Sequence, residues 1–137
     1  MTSNTLQQRI RQHQHLRALR NKLLNLHRML LDAERITYEQ VYGRVSSGEL
    51  LRLVMDHEQF AWLHRISELV VHIDEMLSAD EPVSLEDFQN LFANARTLVT
   101  PSEVGNEFAR KYYAAIQREP DVLLAHADVS QLLASIK

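Results

Sequence analysis

Leu16, Leu19, Leu23, Leu26 and Leu30 recur at alternating steps of three and four residues. That spacing stacks on one side of an α-helix and scatters over both faces of a strand. It therefore commits the front third of the chain to a helix with one apolar stripe. Ala33, Thr37 and Val41 continue the stripe, and Gly43 with Ser46-Ser47-Gly48 supplies its stop. Helical from Asn4 to Val45, this element would be roughly 60 Å long. A compact domain of 137 residues is only about 35–40 Å across. Residues 1–14 must then fray or project past the body. Leu6 and Ile10 fall off the leucine stripe, which keeps the first turns out of the core.

Further periodic segments follow. GELLRLVMD reads as a short helix. Asp56, with Gln59 three residues on, reads as the N-cap of another, whose stripe is Phe60, Leu63, Ile66, Val70, Ile73 and Leu77. Ser84 with Asp87 opens a third long helix through Leu85, Phe88, Leu91, Phe92, Ala95, Leu98 and Val99. Thr100-Pro101-Ser102-Glu103 has the form of a helix start, with a cap and then proline at the first helical position. From it we expect a fourth helix burying Val104, Phe108, Tyr112 and Ala115, with Gly105 and Ala109 leaving room for a close neighbour. After Pro120 one or two short helices remain. Three glycines and three prolines punctuate the whole chain. Nothing repeats, and no linker divides it. The expectation is a single all-α domain over residues 1–137: an up-and-down bundle of about four main helices with short extra ones.

Composition excludes several classes of function. There is no cysteine, so disulfide scaffolds, thiolate metal sites and cysteine nucleophiles are out. No run approaches the ~18 apolar residues of a membrane span. The first residues lack the apolar stretch of a secretory signal. A soluble, cytoplasmic protein is expected, with no membrane role. Walker and GxGxxG loops, HExxH, paired HxxxH histidines and an assembled Ser–His–Asp set are all absent. No cofactor is expected, and the balance leans away from an enzyme.

Charge is distributed unevenly. Residues 1–31 carry Arg9, Arg11, Arg17, Arg20, Lys22 and Arg28 and no acid, a formal +6. The other nine basic residues and all eighteen acids lie beyond, a formal −9. A basic arm suits an acidic partner or a phosphate backbone, or simply the acidic helices of its own chain. Without a base-reading motif, nucleic acid is the weaker of the two external partners.

One stretch has the residue types of a metal site. In HRISELVVHIDE (residues 64–75), His64, Glu68, His72 and Glu75 stack at helical spacing. On the helical wheel they lie opposite Ile66, Val70 and Ile73, which suits a solvated face with i,i+4 pairs. The alternative is a metal site drawing on His27, Glu34, His64, Glu68 and His72. More telling are the polar residues flanking the apolar stripes. If the first and second long helices are antiparallel, Arg20 falls opposite Asp74 and His27 opposite Ser67. Glu34 and Tyr38 are then a candidate hydrogen-bonded pair. Such a buried polar set fixes helix register. Its functional alternative is a pocket in which Glu34 and His27 do acid–base chemistry.

The stretches LHRMLLDAERITYEQVYG, SSGELLRLVMDHEQFAWLHRISELVVHIDE and PDVLLAHADV, taken together, resemble a group of small, uncharacterised, all-helical bacterial proteins. That resemblance implies a helical fold and carries over no site. His27, His64-x-x-x-Glu68 and His126 are partly similar to hemerythrin-like bundles, which implies a metal-binding or di-iron alternative. The leading expectation is a non-enzymatic interaction or regulatory module that docks a protein partner or a second copy of itself through Arg9, Arg11 and Arg17.

Overall fold

The computed structural model describes residues 2–136, with side chains described over residues 6–136. The described residues form an all-α bundle with no strand. Its helices are α1 (Thr2–Tyr42), α2 (Ser47–Asp56), α3 (His64–Ser78), α4 (Leu85–Leu98), α5 (Glu107–Arg118) and α6 (Pro120–Ser135), with a 3₁₀ helix, Glu58–Leu63, leading into α3.

α1 runs unbroken for 41 residues, about 60 Å. Leu16, Leu19, Leu23, Leu26, Leu30 and Ala33 are all buried, each leucine contributing about 1.5–3 kcal/mol. Thr37 is half-buried and Val41 exposed, so the stripe leaves the body after Ala33. Gly43 then closes the helix at φ 86°, its N–H donating to Glu39 O at 2.9 Å. Glycine adopts that left-handed conformation without steric cost. Of the segment expected to fray or project, residues 2–14 are helical. Leu6 and Ile10 stand 57% and 51% exposed on it.

Four contacts set α1 against the next segment. Arg20 meets Asp74, His27 meets Ser67, and Glu34 meets Trp62 and Gln59. As the first number rises by seven the second falls by seven, and then by five to Trp62 or eight to Gln59, the signature of antiparallel packing. The C-terminal end of α6 lies beside the N-terminal half of α1, so these two also run in opposite directions. α3 and α6 are the main supports of α1.

Two helix starts differ from the sequence expectation. Asp56 is the last residue of α2, not a cap. His57 takes the capping role instead: its N–H closes α2 on Leu53 O at 2.8 Å, and its Nδ1 accepts from Gln59 N at 3.1 Å. The Thr100-Pro101 start is not used. Residues 100–106 form a loop, Val104 is 91% exposed, and α5 begins after Asn106, whose Oδ1 accepts from Ala109 N at 2.8 Å. Thr100 instead donates its hydroxyl back to Arg96 O at 2.6 Å, ending α4. Gly105 admits no neighbouring helix. A Cβ there would lie 3.0 Å from Ala109 Cβ and 3.1 Å from Ser102 Cβ, so the glycine lets the loop fold onto α5. After Pro120, where one or two short helices were expected, there is one continuous helix of 16 residues, since proline at the first helical position lacks only an N–H that would go unpaired there.

Candidate functional site

The polar set between α1 and α3 is a string of separate contacts. Arg20 Nε donates to Asp74 Oδ1 at 2.5 Å, and both side chains are partly exposed. His27 Nε2 and Ser67 Oγ share a hydrogen bond of 3.2 Å. Burial lowers the pKa of His27, and the nearby His64 lowers it further, so the neutral ring is favoured. Glu34 is 9% exposed. Trp62 Nε1 donates to its Oε1 at 2.8 Å, and Gln59 Nε2 reaches its Oε2 at 3.5 Å. The expected Glu34–Tyr38 pair does not form. The 3₁₀ helix turns Trp62 inward and gives Glu34 an indole donor. Tyr38 goes into an aromatic cluster instead, its ring 4.7 Å from Tyr42, 5.5 Å from His57 and 5.9 Å from Phe60.

The residues of the metal alternative do not converge on one point. His27 is tied to Ser67 and Glu34 to Trp62. His64 is not part of a wet ladder: its Nε2 donates to Val54 O at 2.7 Å, fastening α3 to α2. Glu68 and His72 are exposed at the edge of a shallow polar hollow of about 320 Å³ shared with Asn94 and Thr97 of α4. Among the described residues, no three His, Asp or Glu side chains converge as metal ligands.

One further pair escaped the sequence reading. The Tyr112 hydroxyl and His126 Nδ1 lie 2.6 Å apart across the α5–α6 hairpin, with Ser130 Oγ 3.4 Å from Nε2 of the same ring. Burial lowers the pKa of His126 and pushes Tyr112 far above the ordinary phenol range. The pair locks the hairpin. Its two members lie on separate helices either side of the Glu119–Pro120 break, so the period of neither helix marks the pair.

The basic end of α1 has two distinct faces. Asp74 is paired with Arg20, and α3 stops only four residues later, at Ser78. Beyond that point the outer side of α1 is uncovered. There Arg9, Ile10, His13, Gln14 and Arg17 border a shallow depression of about 370 Å³. The inner side overhangs a deeper cleft of about 530 Å³. Gln8, Arg9, Arg11, Gln12 and His15 form one wall, and Pro82, Val83, Leu85, Phe88, Ser135 and Ile136 the rest. The structure thus divides the basic trio: Arg17 faces outward, Arg11 faces the cleft, and Arg9 borders both. None of the three forms an ion pair among the described residues. Periodicity alone could not show the cleft, because its far wall comes from a loop and two helices remote in sequence.

No helix among the described residues is long and apolar enough to cross a membrane. No family model, curated protein or solved structure matches the chain.

Proposed function

We propose that this protein is a non-enzymatic interaction module whose outer α1 face docks an acidic, amphipathic helix of a partner protein in the cytoplasm. One observation carries the reading: Leu6 and Ile10 lie one turn apart and half-exposed, past the end of α3, beside Arg9 and Arg17, which have no ion-pair partner among the described residues. Two apolar side chains at i and i+4 flanked by arginines complement a helix presenting leucines and carboxylates. Residues 6–17 span about 18 Å, which suits a small interface of the transient kind.

Charge argues for a different protein over a second copy. Residues 1–31 contain no acid, so two such arms laid together would repel. An arm set against the acidic remainder of another copy closes into a dimer only when both arms exchange reciprocally about a two-fold axis.

The test uses a synthetic helical peptide with leucines at i, i+3 and i+4 and glutamates elsewhere, followed by fluorescence anisotropy. Saturable binding that weakens with salt is expected. Arg17→Glu with Ile10→Glu should weaken it at least tenfold while leaving the melting temperature unchanged. Unchanged binding in that variant overturns the proposal. So does equal affinity for duplex DNA at the same salt, which would mark the arm as a plain polycation binder.

A further inference from the structure

The 530 Å³ cleft under the other face of α1 calls for a separate occupant. Its size falls within the range, about 300–1,000 Å³, of pockets that hold small molecules. Its walls differ in chemistry. Arg9, Arg11 and His15 come from α1, whereas Val83, Leu85 and Phe88 belong to the α3–α4 loop and the first turn of α4. None of its described lining residues is acidic. An apolar wall alone would suit any greasy molecule, and arginines alone any anion. Together they select a molecule with an apolar body and one negative end.

We infer that this cleft is a binding site for a small organic carboxylate carrying an apolar tail. The carboxylate sits against the guanidinium of Arg11, with Arg9 at the rim. The tail lies along Val83, Leu85 and Phe88. Arginine is suited to the polar end because its planar fork meets both carboxylate oxygens at once. Phe88 is already packed by Phe92 at a ring distance of 4.5 Å, and the His15 ring lies 6.3 Å from Phe88.

This site shares only Arg9 with the partner-docking face, and variants that leave Arg9 in place separate the two. Isothermal titration calorimetry with monomeric dodecanoate should give one site per chain. Dodecyltrimethylammonium, with the same tail and opposite charge, and acetate, with the charge and no tail, should each bind at least tenfold more weakly. Arg11→Glu should weaken dodecanoate at least tenfold. Leu85→Glu should do the same: Leu85 is 62% exposed at the first position of α4, where an acid is well tolerated, so circular dichroism should show the fold intact. Arg17→Glu, on the outer face, should leave dodecanoate binding unchanged while weakening the acidic peptide. Equal binding of the cationic amphiphile overturns the inference, as does dodecanoate affinity unaltered by both cleft variants.

Discussion

Trp62→Phe is the sharpest probe of how the bundle holds its buried carboxylate. Trp62 Nε1 is the short donor to Glu34, and Gln59 at 3.5 Å is a weak second. Phenylalanine keeps an aromatic ring against Phe108, whose centroid lies 5.3 Å from that of the indole, but deletes the donor. A hydrogen bond to a charged group contributes about 1.5–3 kcal/mol, and a buried charged acceptor left unmet costs more than a neutral one. We therefore expect a loss of about 2–3 kcal/mol. For a chain of this size that is roughly 3–5 °C of melting temperature per kcal/mol. Glu34→Met keeps length and helix propensity and should by itself strand the indole N–H, at about 1–3 kcal/mol. The double variant removes donor and acceptor together and should recover most of the loss. Guanidinium unfolding followed by circular dichroism is the assay, because Trp62 is the sole tryptophan and its fluorescence disappears in the variant. If the two single costs simply add to within about 0.5 kcal/mol, the two groups are uncoupled and the argument fails.

Two further predictions concern stability. Asn106→Ala should cost about 0.5–2 kcal/mol as the loss of the α5 cap, and Pro101→Ala well under that; the reverse order in urea unfolding would restore Thr100-Pro101 as the helix start. Burial holds His27 and His126 below their ordinary pKa of 6.5, so the unfolded chain takes up protons first as pH falls. Their contribution is complete well above the ordinary pKa of 6.5 and drains away as pH falls through it toward the lowered folded pKa values. Stability should decline as pH falls through 6.5. Combining His27→Gln with His126→Gln should flatten that decline, and an unchanged slope would contradict it.

The parts of the fold legible in the sequence were those set by one helix at a time. The leucine stripe of α1, the Ser84 cap and the exposure of Leu6 and Ile10 all depend on local spacing. Where two local signals competed, the expectation failed. Thr100 and Asn106 can both cap a helix, and the choice falls to Phe108, which must reach Trp62 and Tyr112 while Gly105 turns the loop. Likewise Asp56 and His57 are both able caps, and the length of α2 decides between them. For the site, the basic residues were legible as a group, but not their division between two faces. That division depends on where α3 ends beside α1, and on a loop from residues 82–85 crossing beneath it. Neither fact is contained in the period of α1 itself.

The overhang also explains why such an arm can serve as a recognition surface at little energetic cost. An isolated helix of a dozen residues is marginal in water, because its first turn must be nucleated. Here the nucleus already exists: residues 16–33 are fixed by the core, and the arm only extends them. Gln7, Gln8, Arg9, Arg11 and Gln12 are good helix formers, so extension proceeds at close to zero cost per residue. Whatever meets this arm finds its side chains already in register and loses little ordering entropy on binding. A glycine at the exposed Gln14, with the buried core untouched, would break that continuity while leaving every charge in place. Gln14→Gly should then weaken both the acidic peptide and dodecanoate by a similar factor, whereas Arg17→Glu and Arg11→Glu each weaken only one. Loss of a single ligand in Gln14→Gly would mean that the two faces do not share the helix as their common support.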